Sequence, residues 1–233
     1  MANNYLRQLL SFLLETLFPR YCLGCAKPGD YLCTTCLAGA PLPEKICFAC
    51  KTSSENGICP ECARRLSLPH TKIFWATGYK YPPVQKLIRF LKYHSAKECA
   101  ESIAILMKER LAMDIMMGGI IVPMPTHAMR FKKRGFNQAE LIAQKFGELY
   151  ALPLRSDILI KSRDTASQVR AASRAERLKN LRDSFAVAES IAIAGQKIIL
   201  IDDVMTTGAT IIEASRALRI AGAREVIAVV AAH

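Results

Sequence analysis

Two adjacent acids, Asp202 and Asp203, stand directly after the apolar run Ile198-Ile199-Leu200-Ile201 and just before the small-residue loop Thr206-Thr207-Gly208-Ala209-Thr210. The loop opens a helical pattern from Ile211 to Leu218, so its hydroxyls and backbone N–H groups gather where unpaired donors and the helix dipole favour a phosphate. Carboxylates immediately upstream suit ribose hydroxyls, or a Mg²⁺ ion bridging to a diphosphate. The chemistry is that of a site for a ribose 5-phosphate carrying further charge. An ordinary strand, turn and helix with acids as caps is the plainer alternative, but adjacent acids at the end of a core strand are costly to bury unpartnered. No G-x-x-x-x-G-K-[ST] string is present, which excludes a Walker-type phosphate loop.

A second chemistry sits in the first third of the chain. Eight of nine cysteines form four C-x-x-C pairs: Cys22/Cys25, Cys33/Cys36, Cys47/Cys50 and Cys59/Cys62. Repeated at short intervals, such knuckles supply tetrahedral thiolate ligands for two structural zinc ions. A secreted disulfide scaffold is the competitor, and the opening Met-Ala-Asn-Asn-Tyr-Leu-Arg does not resemble a signal peptide. Zinc in a reducing cytosol is the expectation. Sequential pairing of the knuckles and an interleaved cross-brace both remain open, with the short gaps favouring the sequential form. Cys99, in a helical pattern, is expected to be a buried inert thiol.

The formal net charge of the 233 residues is +12. Residues 1–70 hold seven Lys and Arg against five acids, so +10 of the excess lies in residues 71–233. That favours polyanionic partners, either phosphorylated small molecules or nucleic acid. Two zinc ions with eight thiolates would make the cysteine module net negative, so the module is no nucleic-acid clamp by itself. The basic residues gather in two stretches: Arg130, Lys132, Lys133 and Arg134 in a loop over Thr126–Asn137, and Lys161, Arg163, Arg170, Arg174, Arg177, Lys179 and Arg182 further on. The first suits a diphosphate or a nucleic-acid backbone, and the second suits a mobile lid or a strip tracking a single strand. A solvated basic loop explains the first stretch about equally well from local sequence alone.

These residues need a frame to hold them. Residues 5–18 read as a short amphipathic helix, too short and polar to span a membrane. The segmentation is a helix over 1–20, a cysteine-rich module over 21–68, a hinge at Leu68-Pro69-His70 and an α/β domain over 72–233. Strand patterns fall at Phe74–Tyr81, Ile120–Val122, Ile158–Ile160, 198–201 and Val226–Ala231. Helical spacing covers 83–113, a helix opens at Gly135-Phe136-Asn137-Gln138, and another spans 209–221. Alternation of this kind predicts a mostly parallel sheet with helices on both faces. The Lys92-Tyr93 pair faces either a ligand or solvent.

The Asp202-to-Thr210 string resembles the 5-phosphoribosyl-1-diphosphate (PRPP) motif of type I phosphoribosyltransferases. The resemblance implies that Asp202 and Asp203 hold the ribose hydroxyls, that Thr206, Thr207, Gly208, Ala209 and Thr210 wrap the 5′-phosphate, and that Mg²⁺ arrives with PRPP. It also implies a diphosphate loop after the first core strand and a flexible loop over the ligand, where Arg163 and Arg170 fall. With the cysteine knuckles, Leu91-Lys92-Tyr93, Val122-Pro123-Met124-Pro125, Arg134-Gly135-Phe136-Asn137-Gln138, Gln168 and Arg177-Leu178-Lys179-Asn180, the whole chain resembles the ComF/GntX family of bacterial competence-related proteins.

That family resemblance implies a cytoplasmic protein that handles incoming single-stranded DNA in natural transformation, with a competence helicase or other DNA-processing proteins as partners. The alternative function is a working phosphoribosyltransferase taking PRPP–Mg²⁺ and a nitrogenous acceptor. Hypoxanthine–guanine-type enzymes carry an acid as general base where this chain has Thr206, whereas orotate-type enzymes also lack it. No segment announces a nucleobase-recognising hood, and the zinc module is expected to cover the crevice instead.

Overall fold

The computed structural model describes residues 19–93, 97–161, 184–188 and 193–233. The amphipathic helix expected over 5–18, Gln168, the motif Arg177-Leu178-Lys179-Asn180, and Arg163 and Arg170 of the basic lid lie outside them. The branched apolar runs build a four-stranded parallel sheet in the order β1-β6-β5-β2. Its strands are β1 (Thr71–Thr77), β2 (Gly119–Pro123), β5 (Lys197–Val204) and β6 (Glu225–Ala232). The central pair, β5 and β6, is buried on both faces, as continuous Val/Ile/Leu runs require in a covered parallel sheet.

Strand alternation sends neighbouring side chains into two cores. Ile199, Ile201, Ile227 and Val229 join α3 (Pro82–Tyr93), α4 (Cys99–Arg110) and α7 (Gln138–Tyr150) on one face. Ile198, Leu200, Val226 and Ala228 join α8 (Ala209–Ile220) on the other. Cys99, buried at the start of α4, has its thiol pushed up to about 12 by burial and then by Glu98. It is an inert core residue.

The cysteine-rich residues straddle the free edge of β1. Leu32 and Ala40 of the first half, which holds α1 (Thr34–Ala38), belong to the α3/α4 core. Phe48, Ile58 and Cys62 of the second half, which ends in α2 (Pro60–Arg65), belong to the α8 core. Tyr81 Oη donates to Cys36 O at 2.7 Å, and Arg110 donates to the carbonyls of Leu37 and Ala40 at 3.1 and 3.0 Å. On the other face Ile73 N donates to Asn56 O at 2.9 Å. Gly57 lets the two backbones meet: its φ is +67°, and an added Cβ would lie 1.7 Å from Ile73 O.

Within the segment Leu68–His70, Leu68 is fully buried with its N–H bonded to Ala63 O, while Pro69 and His70 are exposed. Several expectations need correction. Strand β1 starts at Thr71 rather than Phe74 and ends at Thr77, because Gly78 begins a turn. The basic loop after β2 is a helix, α6 (Ala128–Arg134), flanked by the short α5 (Met113–Met116) before β2. His127 Nδ1 caps α6 by accepting from Met129 N, and Gly135 ends it in the left-handed region. Ile158–Ile160 contributes β3 (Leu159–Lys161), which does not join the main sheet. It pairs antiparallel with β4 (Phe185–Val187), a strand three residues long that carries no periodic signal of its own.

Candidate functional site at the carboxyl ends of the strands

Asp202 and Asp203 end β5 at the carboxyl side of the sheet, where open α/β folds place their ligands. Because successive residues in a strand face opposite ways, the two carboxylates diverge. Asp203 points to the α3 face and accepts from Lys92 Nζ at 2.8 Å. Both partners are mostly buried, with side-chain exposures of 23% for Lys92 and 12% for Asp203, so neither charge is left alone in the interior. Asp202 is partly buried on the other side, and its Oδ1 accepts the N–H of Asp203 at 2.8 Å.

Loss of water around the Asp202 carboxyl, and then the Asp203 charge, push its pKa up to about 7, against the pull of the Asp203 N–H, Lys92 and Arg130. The crevice thus holds two acids of different character: one ion-paired, the other titrating near neutrality. Arg130 acts on Asp202 electrostatically, so α6 presents at least this cation to the acids. Arg134 sits over the Tyr93 ring at 5.4 Å and donates to Gln138 Oε1 at 2.8 Å. Lys132 and Lys133 are exposed. Among the described residues, no ion pair neutralises Arg130, Lys132, Lys133 or Arg134.

The string Arg134 to Gln138 has a local reason for each residue. Gly135 turns the chain in the left-handed region, and its N–H bonds to Phe131 O. Phe136 is buried beneath Lys97, whose Nζ lies 5.5 Å from the ring centre. Asn137 caps α7 by accepting from Ala139 N, while its amide donates to Met124 O at 3.0 Å, fixing the helix to the segment after β2. Beside the crevice a cleft of about 490 Å³ is lined by Pro125, Phe131, Lys132, Ile160 and Lys161, among others.

The string Thr206–Thr210 runs from the turn after β5 into the first two residues of α8. Gly208 is the N-cap of α8, with φ +77°, and an added Cβ would lie 2.5 Å from the Phe48 ring. Thr206 is exposed, and Thr207 Oγ1 lies 3.5 Å from Ala209 N. The loop therefore presents hydroxyls and the first N–H groups of a twelve-residue helix to the crevice, an arrangement suited to an anion. Next to it, His233 Nδ1 lies 2.9 Å from Met205 O and its Nε2 lies 3.2 Å from Lys51 Nζ.

The cysteines gather as Cys22, Cys25, Cys33 and Cys36, and as Cys47, Cys50, Cys59 and Cys62, which is the sequential pairing. Within each group the sulfurs lie within 4.8 Å of one another, and Cys25–Cys33 and Cys50–Cys59 approach to 3.6 Å. Tetrahedral Zn–S bonds of about 2.3 Å place sulfurs just under ~4 Å apart, so both groups fit a zinc ion. Backbone N–H groups of Gly24, Cys33 and Cys62 point at cysteine sulfurs, the second-layer bonding that thiolate ligands use. Among the described residues, no helix is long and apolar enough to cross a membrane.

The site also uses residues that sequence reasoning passed over. Phe48, Lys51 and His233 border the Thr206–Thr210 loop, and the one local signal from which this could be read is the apolar Phe48 inside the knuckle Cys47-Phe48-Ala49-Cys50. The parallel sheet, the acid pair at its carboxyl edge and the small-residue loop define a phosphoribosyltransferase-type domain. A family model described as "Phosphoribosyl transferase domain" matches residues 131–233.

The DNA utilization protein YhgH of Escherichia coli O157:H7 is 28% identical over 89% of this chain and 94% of its own. Competence protein F of Haemophilus influenzae is 35% identical over 46% of each chain, and competence protein ComFC of Streptococcus pneumoniae is 37% identical over 45% of this chain and 44% of its own. With its two tetra-cysteine groups, the chain is similar to these ComF-type competence and DNA-utilization proteins.

Proposed function

We propose that the protein acts in competence and DNA utilization, binding PRPP–Mg²⁺ in the crevice and handling incoming single-stranded DNA in the cytoplasm. The observation that carries the ligand assignment is the meeting of Asp202, Asp203, the Thr206–Thr210 loop and Arg130 at one edge of the sheet. The loop takes the 5′-phosphate, the acids take the ribose hydroxyls and Mg²⁺, and Arg130 offsets diphosphate charge. DNA as a ligand draws on the DNA-utilization relative, and a single strand on the exposed cations and Phe131 of α6, since backbone charge and base stacking are what such strands offer.

A working transferase is the second reading, in which the carboxylates of Asp202 and Asp203 at the crevice would stabilise the positive charge that develops on the ribose as diphosphate leaves. Titrating PRPP–Mg²⁺ and a short DNA strand into one zinc-loaded sample, alone and together, tests the proposal. Saturable binding of both supports it, and binding of neither overturns it. Diphosphate release with a panel of bases then separates binding from turnover.

A further inference from the structure

The second cysteine group and the phosphate loop touch at two points. The Phe48 ring fills the space beside Gly208, and that contact excludes even a methyl group there. Three residues beyond Phe48, Lys51 follows Cys50 directly, and its Nζ lies 3.2 Å from His233 Nε2. His233 Nδ1 faces Met205 O at 2.9 Å. A carbonyl can only accept, so Nδ1 carries the proton and Nε2 accepts from the Lys51 ammonium. Trp75 holds the imidazole edge-on, with ring centres 5.0 Å apart. Knuckle residues 47–51 therefore grip the loop from both ends: Gly208 at its helix side, Met205 at its strand side.

Knuckle geometry depends on its metal. Cys47 and Cys50 flank Phe48 and Ala49, and a bound ion would fix the turn that presents Phe48 and Lys51. We propose that Phe48, Lys51 and His233 are positioning residues that couple zinc at the Cys47/Cys50/Cys59/Cys62 group to phosphate binding at the Thr206–Thr210 loop. Filling either site pre-organises the other, so each ligand tightens the other by the same factor. The first cysteine group lies on the opposite face of the sheet and takes no part. The inference rests on the phosphoribosyl reading of the crevice.

Zinc affinity of the full chain, measured by chelator competition with and without saturating PRPP–Mg²⁺, tests the coupling. Calorimetry on the same samples reports whether PRPP binds. One of the two zinc equivalents should hold about tenfold more tightly with PRPP, within the range of known couplings, and the other should not change. Lys51→Ala, an exposed substitution, and Phe48→Leu should keep both zinc ions and lose most of that gain. Where Phe48→Leu fails to fold, Lys51→Ala alone decides. PRPP binding with unchanged zinc affinity overturns the coupling and leaves the phosphoribosyl site standing. Absence of PRPP binding overturns both.

Discussion

Asp202 carries a cost that its neighbour does not. Asp203 has Lys92 at 2.8 Å, whereas among the described residues Asp202 has a backbone N–H alone at hydrogen-bond distance, with Lys92 and Arg130 acting electrostatically. Its folded pKa of about 7 lies above the ordinary 3.8, so the native state binds the proton more tightly than the unfolded chain does. The stability this contributes is fully present below about pH 4 and is lost as the pH rises towards 7. In the ligand-free protein, Asp202→Asn should raise the melting temperature at pH 8 by about 2–4 °C, and the gain should vanish at pH 4. Thermal melts across that range check it, and an equal gain at both pH values would contradict the assignment. A residue held at such a cost and exposed to a crevice fits a binding role.

At the scale of elements, the cysteine module is part of the wall of the domain. Gly57 brings its backbone onto the β1 edge, and Leu68 buries the joint. Gly57→Ala combines a left-handed backbone with a collision on Ile73 O, and should cost about 2–4 kcal/mol by denaturant unfolding. A change under ~0.5 kcal/mol would mean that the edge contact is dispensable. The sheet was legible in the sequence because β2, β5 and β6 are branched apolar runs, and such runs have few other places to go. Helix α6 was not, since its seven residues lack an apolar stripe and depend on a His cap that propensity does not single out. Strand β4 was hidden for a similar reason: three residues cannot show a period. Asp202, Asp203 and the threonine loop stood out by type and spacing. Phe48, Lys51 and His233 reach the loop only through tertiary packing, which no local spacing encodes.

Over the whole molecule, the +12 net charge is unevenly spread, and α6 carries four cations, of which Arg130 acts on the acid pair. If this helix carries a DNA strand, affinity falls with salt by roughly 0.7 in log–log slope per phosphate contact. Replacing Arg130, Lys132, Lys133 and Arg134 together by Ala should flatten the slope by about 1–2 for a short oligonucleotide. An unchanged slope removes α6 from the DNA interface. Under the proposed function, the edge of the sheet that carries the acid pair and the Thr206–Thr210 loop would serve a small phosphorylated ligand and a polyanion side by side. The most direct measurement of that picture is calorimetric titration of PRPP–Mg²⁺ into the zinc-loaded protein and into the Asp202→Asn, Asp203→Asn double variant. Saturable one-to-one binding to the first, weakened at least about tenfold in the second, is the result expected. Equal affinity for both proteins, or no binding to either, would contradict the phosphoribosyl site.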